Sequence, residues 1–127
     1  MVFLYRKEFY RQALMKKMVS LKKNQDFRLV YNKGKSVANR FIVVFVLPNG
    51  LEFNRVGFSV SKKVGKSVVR SRVTRLLRES MRLLVNKIKT GHDIIILART
   101  SCNGMSFKEA DSAIWHLIKK HNLDLKF

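Results

Sequence analysis

Eight cations stand between positions 62 and 82: Lys62, Lys63, Lys66, Arg70, Arg72, Arg75, Arg78 and Arg82, with Glu79 the single acid among them. Guanidinium groups at this density repel one another unless a polyanion lies against them, and their planar forks match phosphate oxygens. The chemistry they offer is phosphate binding. A charge run is most often a solvated helix face, kept soluble by opposite charges at i±3 or i±4. Those partners are nearly absent here, which favours nucleic acid over solvent. A second group mixes rings with cations: Phe27 and Tyr31 stand one helical turn apart, flanked by Lys23, Arg28, Lys33 and Lys35. Such a mixture composes a platform on which single-stranded bases stack. The same spacing also describes a helix buried on a sheet, and both readings stay open.

Groups that break bonds are missing from the pattern. The eight acids are scattered, no Asp-x-Asp occurs, and His92, His116 and His121 share no motif. Lys63-Val64-Gly65-Lys66-Ser67 ends like a phosphate loop but lacks its upstream glycine. Cys102, the only cysteine, sits in an expected loop with no His or Asp motif beside it and reads as an inert thiol. No catalytic residue, no metal ligand set and no small-molecule substrate is expected of this chain.

The cations need a helix to align them. At 100° per residue Val69, Val73, Leu76, Leu77, Ser80, Leu83 and Leu84 share one sector, Arg75, Arg78 and Arg82 lie opposite, and Arg70 and Arg72 occupy the flanks. An earlier helix is predicted from Asn24 as N-cap, Asp26 in the first turn and Gly34 as the stop, with Phe27, Val30 and Tyr31 on one side. Strands are predicted at Ser36–Asn39, at Phe41–Leu47 (apolar on both faces) and, after the Pro48-Asn49-Gly50 turn, at Arg55–Val60. In the last of these Val56, Phe58 and Val60 share a face, while Gly57 and Ser59 leave the other uncrowded. Asp93–Arg99 reads as a buried, central, parallel strand. A capping box, Ser106 to Glu109, opens a final helix with Ala110, Ala113, Ile114, Leu117 and Ile118 as its buried stripe. The order αβββαβα implies an α+β two-layer sandwich, a mixed sheet of about four strands with three helices.

At 127 residues with 46% apolar content the chain is one folded domain, and its net charge of +19 exceeds what solubility requires. Residues 1–51 hold 11 basic and 2 acidic side chains, residues 52–89 the same, and residues 90–127 only 5 against 4. The footprint for a polyanion therefore belongs to the first two thirds. Residues 21–127 are expected to form a single RNA-binding domain. Residues 1–20 form a basic extension that stays open between an amphipathic helix, a disordered arm and sequence upstream of a start at Met15 or Met18. Arg6, Lys7 and Glu8 interrupt its apolar opening before a signal-peptide core, and the longest apolar runs are strand-length, so no membrane contact is expected. A lone cysteine fits a reducing compartment, and the expected location is the cytoplasm.

Several of these stretches together resemble the bacterial ribonuclease P protein subunit. They are Leu21–Phe27 (LKKNQDF), Ser36–Arg40 (SVANR), Arg55–Lys63 (RVGFSVSKK) and the Arg70–Arg78 helix, and the resemblance runs in order from about Leu21 to Arg99. The family motif reads Arg-Asn-Arg followed by Lys-Arg, where this chain has Arg70-Ser71-Arg72 and Thr74-Arg75. The resemblance implies a subunit of the endoribonuclease that removes the 5′ leader of precursor tRNA, with catalysis by an RNA subunit and its Mg²⁺. It implies that Lys62, Lys63, Lys66, Arg70, Arg72, Arg75, Arg78 and Arg82 face the catalytic RNA. The leader would lie along Phe27, Tyr31, Val43 and Phe45, with Arg28 and Arg40 nearby. A left-handed crossover between the strands near Val56 and Ile95 is also implied, where about 98% of parallel β-α-β units are right-handed. The rival reading is a structural RNA-binding protein of ribosomal type, without a leader cleft. A DNA-binding module ranks third, because the arginine helix lacks base-reading Asn or Gln.

Overall fold

A computed structural model describes residues 18–125, and the basic extension before Met18 lies outside them. In chain order the elements are β1 (Met18–Ser20), α1 (Asn24–Lys33), β2 (Lys35–Ala38), β3 (Ile42–Pro48), β4 (Asn54–Ser59), α2 (Ser67–Leu84), β5 (His92–Ala98) and α3 (Phe107–Lys120). The strands make one mixed sheet in the order β1-β4-β5-β3-β2. β5 is central, parallel to β4 and antiparallel to β3; β1 is parallel to β4, and β2 antiparallel to β3. The sheet is α+β and mixed, as read from the pattern, with five strands in place of four. The added strand is Met18–Ser20, whose partner Asn54–Val56 lies far along the chain.

Register decides which side chains share a face. Val44, Ile96 and Phe58 form one row, and Val46, Ile94 and Val56 the next. This face is covered by α2 and α3: Val73, Leu77, Met81 and Leu84 meet Ala110, Ala113, Ile114, Leu117 and Ile118 over it in the main core. Burying each large aliphatic here stabilises the fold by roughly 1.5–3 kcal/mol. Rows on the other face run Phe45–Ile95–Gly57 and Val43–Leu97–Ser59. Only α1 covers it, in a small cluster of Leu21, Val30 and Ile95 flanked by Phe27, Tyr31, Phe45 and Leu47. β3, expected to be apolar on both faces, accordingly alternates between buried and half-buried residues.

The buried arc of α2 is rotated from the one expected. Leu83 is 52% exposed, whereas Met81 is fully buried. α2 packs on both the sheet and α3, so its apolar arc is centred between two neighbours and takes in position 81. At α1, Lys23 holds the N-cap position and Asn24 is the first helical residue, with no side-chain cap. Gly34 ends the helix with an ordinary negative φ. Its value lies in close approach, because a Cβ there would press on the carbonyl oxygens of Val30 and Val46. The capping box of α3 is present in both directions: Ser106 Oγ accepts from the Glu109 N–H, and Glu109 accepts from the Ser106 N–H.

Candidate nucleic-acid interface

Two surfaces carry the residues singled out above. The first is α2 with the turn before it. Lys62 and Lys63 lie in a 3₁₀ turn, Lys66 holds the N-cap position of α2, and all three are exposed. Arg72, Arg75, Arg78 and Arg82 are exposed along the helix, while Arg70 is half-buried. Among the described residues Arg70, Arg72, Arg75 and Arg78 make no salt bridge. Arg82 does: its guanidinium donates to Glu79 through two bonds, the shorter 2.6 Å, and this holds the Glu79 carboxyl below the usual range. Arg78 lies over the Phe58 ring at 5.6 Å from its centroid. Thr74 Oγ1 donates to the Arg70 carbonyl at 2.8 Å.

The second surface is the sheet face beneath α1. The Phe27 ring rests on Gly57, where a Cβ would collide with it. Phe27 and Tyr31 stand 6.2 Å apart, and Tyr31 meets Phe45 edge-on at 4.9 Å. All three rings remain half-buried. Beside them runs the half-buried row of Val43, Leu97 and Ser59, continued by the exposed Ala38. Leu97 and Ala38 were not singled out by sequence reasoning, since only strand register reveals that they adjoin Val43. Arg28 is exposed on α1. Arg40 stands apart: its guanidinium covers Phe41 at 5.2 Å and lines a groove with Lys108 and Glu109 at the start of α3.

An internal ion cluster fixes α1 over the sheet. Arg55 donates to both oxygens of the buried Asp93, at 2.8 and 2.6 Å, and reaches Asp26 of α1 at 3.6 Å. Asn49 Nδ2 adds a bond to Asp93 at 2.9 Å. The Asp93 hydrogen bonds raise the Arg55 pKa and hold it charged, and that charge is balanced inside the fold by Asp93 and Asp26. Among the described residues no group of three His, Cys, Asp or Glu side chains stands close enough to hold a metal ion, and no helix is long and apolar enough to cross a membrane. Cys102 is buried with its thiol donating to the Phe41 carbonyl, and burial pushes its pKa up.

A mixed sheet with a cationic helix on one face and an open aromatic strip on the other defines a basic α+β protein whose surfaces suit a polyanion. Known proteins narrow the class. The ribonuclease P family profile matches residues 15–122. The ribonuclease P protein component of Alkaliphilus oremlandii is 60% identical over 109 residues, spanning 86% of this chain and 96% of that one. The solved RNase P protein of Staphylococcus aureus superposes with a TM-score of 0.77 at 36% identity, over 84% of this chain and 97% of that one. The Thermotoga maritima RNase P protein gives 0.74 at 30% identity, over 80% and 96%. The chain belongs to the ribonuclease P protein component family, the protein subunits of a tRNA-processing endoribonuclease that works with an RNA subunit.

Proposed function

We propose that this chain binds the catalytic RNA along α2 and lays the 5′ leader of precursor tRNA across the strip beneath α1. The observation that carries the proposal is the ring cluster of Phe27, Tyr31 and Phe45, packed ring to ring yet left half open beside Val43 and Leu97. Rings in mutual contact ordinarily close a core; here one ten-residue helix covers the face and the row next to it stays accessible. Bases stack on such surfaces whatever their identity, and Arg28 supplies a phosphate contact at the margin, whereas Arg40, turned toward α3, is left out of the strip. Lys62, Lys63, Lys66 and the arginines of α2 take the phosphates of the catalytic RNA. Hydrolysis of the leader phosphodiester belongs in this reading to the RNA subunit with Mg²⁺. Asp26 and Asp93, the carboxylates beside the strip, are engaged by Arg55, so the chain supplies grip and orientation. A cytoplasmic setting accords with its one free, buried thiol.

The test compares tRNAs with and without a leader. Tyr31→Leu and Phe27→Leu keep apolar volume and remove the flat ring. Each should weaken binding of precursor tRNA to the reconstituted complex by about 1–3 kcal/mol, roughly five- to a hundred-fold, and leave mature tRNA unaffected. Equal losses for both tRNAs would show that the rings only pack. The protein without its RNA subunit should release no leader at any Mg²⁺ concentration.

A further inference from the structure

We infer that a groove between α2 and β4 receives one unstacked base of the RNA partner, so that α2 holds RNA by an inserted nucleotide as well as by phosphates. The inference rests on the reading of α2 as the RNA-binding face and adds a site to it. The groove measures about 480 Å³, within the range of roughly 300–1,000 Å³ typical of small-molecule pockets. Phe58 and Val60 of the β4 segment line it on one side; Arg70, Ser71, Thr74 and Arg78 line it on the other.

Phe58 and Val60 pack against the main core on their inner sides, and phosphate binding makes no use of the apolar surface they leave open in the groove. A phosphate gains nothing from Phe58 and Val60, two half-buried apolar side chains in the midst of arginines. A base does: its flat face is apolar and its edge is rich in acceptors. The Arg78 guanidinium laid on the Phe58 ring makes a planar cationic surface of the kind on which bases stack. Arg70 supplies the edge contact. Its Nε–H is shielded and has no hydrogen-bond partner among the described residues, which leaves a donor at the groove with its bonding capacity unused. An acceptor carried into the groove can take that donor when the guanidinium turns toward it. Size agrees as well. Ser71 and Thr74, both short side chains, line the groove on the α2 side and leave it open.

The experiment measures affinity of the full chain for a ribonuclease P RNA transcript across a range of KCl concentrations. An inserted base contributes a part of affinity that salt does not screen. Phe58→Leu, which loses the flat ring, and Thr74→Leu, which fills the groove, should each weaken binding roughly five- to a hundred-fold at every salt concentration, with the log–log slope unchanged. Arg72→Ala is the control and should flatten the slope by about 0.7–0.9. Wild-type affinity in both leucine variants, with the control flattened, overturns the inserted base and leaves the α2 reading standing. An unflattened control with weakened leucine variants overturns phosphate contact at Arg72 and supports the groove. A second measurement needs no variant. Adenosine 5′-monophosphate should shift the amide resonances of Phe58 and Thr74 in the wild-type chain, and ribose 5-phosphate at equal concentration should not. Equal shifts from both probes would reduce the groove to a phosphate site and overturn the inference.

Discussion

Gly57 decides how the face beneath α1 is built. With hydrogen in place of a side chain it lets the Phe27 ring settle on the backbone of β4, and a methyl group there would meet that ring head-on. Phe27 is half-buried and the clash falls on the outer end of its ring, so Gly57→Ala should displace the ring and leave the strand in place. Overpacking of this kind costs about 1–3 kcal/mol. A drop of that size in urea-unfolding free energy, with precursor-tRNA affinity falling and mature-tRNA affinity constant, is the expected pair of results. A stability loss that leaves precursor binding untouched would detach Phe27 from the leader. Cys102 offers a contrasting residue. It is fully buried, its thiol is bonded to the Phe41 carbonyl, and its pKa is raised by burial. Iodoacetamide at pH 8 should therefore label it only on unfolding, and labelling at the rate of a free thiol in native buffer would contradict its place in the core.

At the scale of elements, α2 carries two kinds of arginine. Among the described residues Arg72 and Arg75 have no ion partner, and a double alanine substitution should flatten the salt dependence of RNA binding by about 0.7–0.9 for each phosphate no longer neutralised. Arg82 is held by Glu79. Glu79→Gln should release it and remove a negative charge from the helix, steepening the slope and raising affinity at low salt. No change on that substitution would place Arg82 outside the interface. Periodicity made α2, α3 and the isoleucine strand legible because each repeats its pattern over several turns or residues. It could not give the tilt of α2, since the exchange of Leu83 for Met81 in the core depends on where α3 lies. β1 was hidden for another reason. Three residues with a parallel partner beyond position 50 leave neither a hairpin turn nor a period to read. The rings Phe27 and Tyr31 were visible as a pair, but the row of Val43, Leu97 and Ser59 beside them exists only through strand register.

Across the whole molecule the strip and the arginine helix occupy opposite faces of one sheet, and the Arg55 cluster ties α1 to that sheet. Asp93 is 2% exposed and accepts from Arg55 and Asn49. Asp93→Asn leaves a charged guanidinium against a neutral amide. Breaking a buried pair costs about 3–5 kcal/mol, and the partial exposure of Arg55 sets this one toward the lower end. Chemical unfolding would measure it, and a loss below about 1 kcal/mol, no more than exposed pairs contribute, would show the pair to be superficial. The unpaired arginines of α2 have a consequence in time as well as in affinity. From Arg70 to Arg78 they run along two turns of α2, about 12 Å at 1.5 Å per residue, which is somewhat more than the Debye length of about 8 Å at physiological ionic strength. An approaching RNA therefore meets a field that strengthens only within the last nanometre and pulls hardest on the α2 side. The protein should arrive already turned the right way, so that encounters at low salt approach the diffusion limit and dilution of counterions accelerates capture more than it slows release.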